Sequence, residues 1–182
     1  MRMIILIFSL LLTNAVIGGE VINSHVTSAE GRFHATLEMQ INASNKKVFA
    51  LFTDFNHLSR LNDNITESRL IDTNPPEYIV KVHTHNCVLF FCKDIQQTQQ
   101  VHLFEGGYIS VEDIPAQSDF EYAQSYWHIR ASGSHTLVSF RSEMKPDFWL
   151  PPFLGPWLFK QRMLEETKQM INRLEQLANH DQ

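Results

Sequence analysis

The sequence MKPDFWLPPFLGPWLFK, residues 144–160, runs directly into QRMLEETKQMINRLEQLAN, residues 161–179, and together they decide the fold. The first part is rich in aromatic residues and proline. In the second part, apolar residues recur at three- and four-residue steps, which is the spacing of one helix face. A long amphipathic helix is therefore predicted, and it needs an apolar surface on which to lie. Its apolar positions are Leu158, Phe159, Met163, Leu164, Met170, Ile171, Leu174, Leu177 and Ala178.

Composition limits the classes of function. The chain has 182 residues, of which 43% are hydrophobic and 19% are charged, as is usual for one globular domain with a substantial core. The net charge is -5 and no run of Lys or Arg occurs. Nucleic-acid binding depends on phosphate neutralisation, so we expect no nucleic-acid partner.

The first part of the domain, up to residue 61, contains one strand and two short helical segments. Residues 33–41 alternate apolar and polar side chains, which indicates a half-buried strand. Ser44 is a suitable N-cap for a short helix over residues 47–55, and residues 57–61 suggest a second helical turn. Residues 20–29 are polar and unpatterned, and we interpret them as a loose lead-in.

Six further extended patterns follow, separated by Asn, Pro and Gly turn signals. Short turns imply antiparallel connections. The predicted class is therefore α+β, with a curved antiparallel sheet of about seven strands wrapped around the long helix. The six patterns cover residues 65–72, 78–85, 94–103, 108–114, 120–131 and 136–144.

The first 19 residues have the pattern of an export signal. Arg2 precedes an apolar run over residues 3–12, and smaller residues follow up to Gly19. Cleavage after Ala15, Gly18 or Gly19 fits this pattern, and an uncleaved anchor is the alternative. We expect a signal peptide over 1–19, the lead-in over 20–29 and one ligand-binding domain over 30–180, in an exported protein that is periplasmic or secreted.

Two cysteines, Cys87 and Cys92, bracket four apolar residues. In one continuous strand their Cα atoms would lie about 16 Å apart, at about 3.3 Å per residue, which is too far for a disulfide. The segment is therefore either a tight loop closed by a disulfide or a strand with two free thiols. An oxidising compartment favours the disulfide.

Four stretches resemble the START/Bet v 1-like (SRPBCC) superfamily, and in particular its polyketide cyclase/dehydrase and coenzyme Q-binding-like branch. They are ASNKKVFALFTDF at 43–55, the extended segment 65–71, YWHIRASGSHTLVSF at 126–140 and the long final helix. The resemblance covers about residues 30–180. It implies a helix-grip fold with a cavity between sheet and final helix that holds an apolar or amphipathic molecule. The signal peptide and the cysteine loop depart from the family pattern and argue against a cytosolic polyketide role or a mitochondrial quinone role.

Within that fold, the aromatic and proline-rich stretch is a candidate gate to the cavity or a membrane-contacting surface, because aromatic residues suit the boundary between apolar and wet surroundings. The loop over residues 88–91 is a second candidate lip. For every residue concerned, ordinary packing of a corner or core is the alternative. The candidate ligand-binding residues are Phe49, Phe52, Trp127, Phe140, Phe148, Trp149, Phe153, Leu154, Trp157, Phe159, Met163 and Met170.

Catalytic and metal sites are not indicated. The chain contains no Gly-x-Ser-x-Gly, no Ser-x-x-Lys and no phosphate-cradling glycine loop. Of the nine histidines, His83 and His85 share one face of a predicted strand, but zinc needs three or four converging ligands, and spacing alone does not establish such a set. We therefore expect no catalytic residue, metal or cofactor.

These observations predict an exported protein that binds or transfers a hydrophobic molecule such as a lipid, an isoprenoid or a quinone-like compound. Its partners would be that molecule and, transiently, a membrane; the oligomeric state is left open. One alternative is a polyketide cyclase/dehydrase-like enzyme, which requires an acid or base facing the cavity. The other is a protein-interaction module with a filled core and an exposed aromatic patch.

Overall fold

A computed structural model describes residues 18–88, 91–149 and 155–180. Within them, eight strands form one antiparallel sheet in the order β1-β2-β8-β7-β6-β5-β4-β3. The strands are β1 Glu20–Ala29, β2 Arg32–Ile41, β3 Ile65–Asn74, β4 Glu77–Val88, β5 Phe91–Phe104, β6 Tyr108–Asp113, β7 Phe120–Ser132 and β8 His135–Pro146.

Helices occupy the two positions that the sequence predicts. Helix α1, Asn45–Phe52, and a short 3-10 turn, Leu58–Arg60, connect β2 to β3 at the far edge of the sheet. Ser44 is at the N-cap of α1, although its side chain makes no capping hydrogen bond. Helix α2, Pro156–Asn179, lies against the curved sheet. The α+β class and the helix-grip architecture are thus confirmed.

The prediction of a loose lead-in over residues 20–29 is wrong. These residues form β1, the edge strand that pairs with β2 along its whole length and raises the strand number from about seven to eight. Its side chains are mostly exposed, so its stability comes from main-chain pairing and little from apolar burial. The connecting turn consists of Glu30 and Gly31, whose φ values of 52° and 76° form a tight two-residue hairpin.

The second half of α2 packs into the main core. Ile171, Leu174 and Ala178 are buried, and they belong to the same apolar cluster as Met39 and Ile41 of β2. Fully burying each large side chain contributes about 1.5–3 kcal/mol relative to exposure. This half of the helix therefore fixes the position of α2 on the sheet.

Glu175 connects this part of α2 to two other segments. Its Oε1 accepts hydrogen bonds of 2.7 Å from the backbone N–H groups of Gly19 and Asn42. A Cβ atom at Gly19 would collide with the carbonyl oxygen of Gln40 and lie 2.7 Å from Cγ2 of Ile171. The chain therefore enters β1 at a point of close contact with α2, where only glycine fits.

The predicted disulfide between Cys87 and Cys92 is present, and the alternative with two free thiols is wrong. The two cysteines are facing partners at the end of the β4–β5 hairpin. They alternate along their strands with Asn86 and Lys93, which line the cavity described below, so the disulfide lies on the opposite face of the sheet.

Among the described residues, no helix combines the length and apolar character that crossing a bilayer requires. Residues 1–17, which the sequence predicts as most of a signal peptide, lie outside the described residues.

Candidate functional site

A cavity of about 430 Å³ separates the first half of α2 from the sheet. One wall is apolar and is formed by residues of β2, β7 and β8 together with α2. Aromatic rings within this wall contact one another: the ring centroids of Phe33 and Phe159 are 5.2 Å apart, and those of Trp127 and Phe140 are 4.2 Å apart. The apolar wall consists of Phe33, Ala35, Leu37, Phe120, Trp127, Phe140, Met144, Leu158, Phe159, Met163 and Met170.

The opposite wall carries most of the polar groups of the cavity. They come from the loop before β3, from β4 and β5, and from α2. A molecule in this cavity would therefore meet apolar side chains along one side and hydrogen-bonding groups along the other. The polar wall consists of Asn62, Asn64, Thr84, Asn86, Lys93, Gln97, Arg162 and Glu166.

Glu166 is the centre of the polar wall. Asn64 Nδ2 donates to Glu166 Oε1 at 2.7 Å, and Asn62 Nδ2 donates to Oε2 at 3.3 Å. Arg162, one turn earlier on α2, places its Nε 3.1 Å from Oε1. The guanidinium also contacts Glu165 at 3.3 Å, so its charge is balanced by two carboxylates. This wall is therefore rich in hydrogen-bonding groups without a large excess of either charge.

Burial raises the pKa of the Glu166 carboxyl, because removal from water disfavours its charged form. The hydrogen bond from Asn62, the charge of Arg162 and the hydrogen bond from Asn64 oppose that rise. Its side chain is 23% exposed, and Glu166 lines the cavity. A carboxyl group in this setting can accept a hydrogen bond from a ligand, and when protonated it can also donate one.

A second buried carboxyl group lies behind the polar wall. Asp113 on β6 accepts hydrogen bonds from Gln97 Nε2 at 2.9 and 3.1 Å and from Gln99 Nε2 at 3.2 Å. Burial raises its pKa, and those hydrogen bonds oppose the rise. Gln97 lines the cavity and Asp113 does not, so Asp113 acts on the site by fixing the orientation of the Gln97 amide.

Aromatic side chains surround one side of the cavity, and we refer to Phe91, Phe148, Trp149 and Trp157 as the rim. Phe91 and Phe148 line the cavity, and the ring centroids of Phe91 and Trp149 are 6.5 Å apart. The ammonium group of Lys93 lies 5.0 Å from the centroid of Phe148. Trp149 and Trp157 are 70% and 69% exposed. The rim therefore presents large apolar surfaces to water beside the cavity.

The predicted ligand-binding residues occupy four kinds of position. Trp127, Phe140, Phe148, Phe159, Met163 and Met170 line the cavity. Phe49 and Phe52 of α1 are not in the lining; they pack against the core, with Phe52 5.2 Å from Trp127. Trp149 and Trp157 are exposed at the rim. Phe153 and Leu154 lie outside the described residues.

Sequence reasoning missed the polar wall. The apolar face predicted for α2 does not include Arg162 and Glu166, whereas both line the cavity. The helical period contained the signal for Glu166, because it lies three residues after Met163 and four residues before Met170. Asn62 and Asn64 read only as a turn before β3, and no local pattern indicates that their amides reach α2.

The described residues bring together one set of possible metal ligands. Among the residues that the structure describes, the ligand atoms of His85, Cys87 and Cys92 lie within 4.8 Å of one another. The two cysteines are joined in the disulfide, and a metal ligand is a thiolate, so the oxidised chain does not offer this set to a metal.

Solved structures with this architecture include proteins of different roles. An aromatase/cyclase, Zhui from Streptomyces sp. R1128, is 9% identical, with a TM-score of 0.65 over 82% of this chain and 94% of its own. A START superfamily protein from Mycobacterium smegmatis is 15% identical, with a TM-score of 0.66 over 79% and 98%. A STAR-related lipid transfer protein from Xanthomonas axonopodis is 15% identical, with a TM-score of 0.55 over 87% and 97%. At such identities these likenesses establish the fold alone.

No curated protein sequence matches this chain. The family described as polyketide cyclase/dehydrase and lipid transport matches residues 32–178, which span β2 to the last turn of α2 and contain every described residue of the cavity lining. The cavity, the grip of sheet and helix and this match over most of the sequence lead to one conclusion: the chain belongs to the polyketide cyclase/dehydrase and lipid transport family.

Proposed function

We propose that this protein is an exported carrier that binds one amphipathic hydrophobic molecule, such as a lipid, an isoprenoid or a quinone-like compound, between α2 and the sheet. The observation that carries the proposal is the cavity with one apolar and one polar wall. Its volume of about 430 Å³ is within the range of about 300–1,000 Å³ that is usual for small-molecule sites.

The mechanism is sequestration. Burying about 200 Å² of apolar ligand surface contributes about 5 kcal/mol, from which the cost of immobilising the ligand is subtracted. The polar wall then favours one orientation, because a ligand that turns its polar group towards the apolar wall makes no hydrogen bonds there.

Ligand uptake would occur at the rim. Trp149 and Trp157 are exposed beside the cavity, and tryptophan suits the interface of a bilayer with water. Transient contact of the rim with a membrane would let a lipid-like molecule move into the cavity without crossing water.

Export is part of the proposal, and the contacts of Gly19 bear on where the signal peptide would be cleaved. Gly19 donates to Glu175 and fits closely against α2, so removal of Gly19 would cost the fold a hydrogen bond and a packed contact. We therefore place cleavage after Ala15 or Gly18 and not after Gly19. The intact mass of the protein recovered from the exported fraction tests this: a chain that starts at Glu20, or one that keeps residues 1–15, contradicts the assignment.

Native mass spectrometry of the gently purified protein tests binding. We expect an adduct with the mass of one lipid-like molecule, its loss after organic extraction, and its return when the extracted protein is mixed with a lipid extract. A mature chain that carries no such molecule and takes none up would overturn the carrier proposal.

A second candidate is an enzyme of the cyclase/dehydrase type, and Glu166 is the observation that favours it. This carboxyl group faces the cavity and its pKa is raised, which suits a group that exchanges a proton with a substrate. Turnover of polyketide-like cyclic substrates that disappears in Glu166→Gln, while ligand retention persists, would select the enzyme. The alternative of a protein-interaction module predicted a filled core, and the presence of the cavity disagrees with that prediction.

A further inference from the structure

The outer face of the β4–β5 hairpin carries a constellation that the ligand cavity does not use. His85 Nε2 lies 3.3 Å from Cys87 Sγ, and His85 Nδ1 lies 2.7 Å from Asp94 Oδ1. The carboxylate, the imidazole and the disulfide therefore form a continuous chain of contacts. His85 and Asp94 are facing partners on β4 and β5, two positions from the facing pair of cysteines and on the same face of the sheet, so the regular sheet register holds the arrangement.

The two sulfur atoms of this disulfide are not equivalent. Cys92 is exposed, whereas Cys87 is half-buried and is the one that contacts His85. In thiol–disulfide exchange, a thiolate attacks one sulfur and the other departs as a thiolate. Exchange is faster when the departing thiolate is stabilised. The exposed Cys92 Sγ is therefore the sulfur that is attacked, and Cys87 Sγ, which contacts His85, is the sulfur that departs.

We propose that the Cys87–Cys92 disulfide is a site of thiol–disulfide exchange with an external dithiol, in which His85, positioned by Asp94, stabilises the departing Cys87 thiolate. This activity is independent of ligand binding in the cavity, because the disulfide lies on the other face of the sheet.

The exchange proceeds in two balanced steps. A thiolate of the dithiol attacks Cys92 Sγ; a new S–S bond forms to Cys92 while the Cys87–Cys92 bond breaks, and its electron pair leaves on Cys87 Sγ. The second thiol of the reductant then attacks the mixed disulfide at the reductant's own sulfur, which releases the Cys92 thiolate and the cyclic oxidised reductant. Two electrons and two protons pass from the dithiol to the protein.

The role of His85 is confined to the departing sulfur. With both ring nitrogens protonated, Nδ1 donates to Asp94 and Nε2 donates to Cys87 Sγ, which makes a charge-assisted hydrogen bond to the developing thiolate. Asp94 is a positioning residue: its contact with Nδ1 fixes the ring so that Nε2 faces sulfur. Both side chains are exposed and contribute little to the fold, so they can be replaced without unfolding the protein.

The test measures reduction of the folded full chain by dithiothreitol at neutral pH, followed by acid quenching and alkylation for mass analysis. We expect the rate to fall about tenfold in His85→Gln and by a smaller factor in Asp94→Asn, because a charge-assisted hydrogen bond to the leaving group is lost. His83→Gln is the matched control: His83 is on the same strand and face but contacts Gln96 and Glu67, and its rate should equal that of the wild type.

A second measurement tests the direction of attack. The monothiol glutathione should form its mixed disulfide on Cys92, as mapped by peptide mass spectrometry after acid quenching. Adducts found mainly on Cys87, or equal reduction rates in the wild type, His85→Gln and His83→Gln, would overturn the proposal. Equal thermal unfolding of the three proteins in the oxidised state confirms that the comparison concerns chemistry and not folding.

Discussion

In the second half of α2, residues 168–179, Ile171, Leu174 and Ala178 are almost completely buried, whereas Phe159 and Met163 of the first half are only half-buried although they face the sheet. Both halves follow the same helical spacing. The difference lies in what they meet: the second half packs on β1 and β2, and the first half faces a cavity that is also lined by Ala35 and other residues of the sheet. One continuous helix thus serves as core in one half and as the wall of a cavity in the other.

The largest expected effect on stability comes from a comparison in which one apolar side chain in each half of α2 is truncated to alanine. Leu174→Ala should lower the free energy of unfolding by about 3 kcal/mol, because it opens a void in a packed core. Met163→Ala should cost less than about 1 kcal/mol, since its side chain already borders empty space. Urea unfolding of the ligand-free protein measures both. Equal losses would mean that the cavity is closed in solution and that both halves of α2 are core.

Filling the cavity tests the first half without removing any contact. Ala35 is buried on β2 and its side chain faces the cavity, so Ala35→Phe should weaken ligand binding by about tenfold or more while leaving stability within about 1 kcal/mol. Ala43→Phe is the matched control, because Ala43 belongs to the packed core cluster and overpacking there costs about 1–3 kcal/mol. If Ala35→Phe destabilises the protein as much as Ala43→Phe does, the space beside Ala35 is not available to a ligand.

The contrast between the halves also marks the limit of sequence reasoning. Helical and strand periodicity predicts α2, α1 and seven of the eight strands, because each has a face that must be buried. The missing strand, β1, is an edge strand stabilised mainly by main-chain pairing, and main-chain hydrogen bonds leave no pattern in side chains. Only the Glu30–Gly31 turn carried a local signal for it.

For the site, sequence reasoning finds apolar residues and misses the polar ones. Phe159, Met163 and Met170 repeat with the helix, and so they are recognisable. Glu166 and Asn64 are ordinary surface residues in isolation, and their meeting depends on how the loop before β3 lies against α2. Such contacts between residues 102 positions apart are set by tertiary packing, which single-sequence periodicity does not contain.

A pH titration addresses the polar wall of the first half. Because burial raises the pKa of Glu166 above 4.5, the folded state holds its proton more tightly than the unfolded state does. The stabilisation from this group is complete below the unfolded pKa and is lost as the pH rises through the folded value. Glu166→Gln does not titrate, so its stability relative to the wild type should increase with pH across that window.

Thermal or urea unfolding at several pH values measures this difference. Asp113 also has a raised pKa, but it is present in both proteins and its contribution cancels. Glu165→Gln is the control, since Glu165 also contacts Arg162 but is 64% exposed. A pH-independent difference for Glu166→Gln, or an equal trend in Glu165→Gln, would show that the carboxyl group is not held in a desolvated wall.

The smallest effect on stability is expected at the rim, where the first half of α2 meets solvent. Trp149→Ser removes an exposed side chain that touches Phe91, so the free energy of unfolding should change by less than about 0.5 kcal/mol. Uptake of a fluorescent lipid from phosphatidylcholine vesicles should slow about fivefold, because losing roughly 1 kcal/mol of aromatic contact in the uptake step corresponds to about that factor in rate. The equilibrium affinity should remain unchanged, since Trp149 does not line the cavity.

Tyr126→Ser, which removes a half-exposed aromatic ring from the outer face of β7, should leave both rate and affinity as they are. Unfolding of Trp149→Ser would instead assign the aromatic stretch to corner packing, and the apparent division of α2 into core and site would then begin further along the helix.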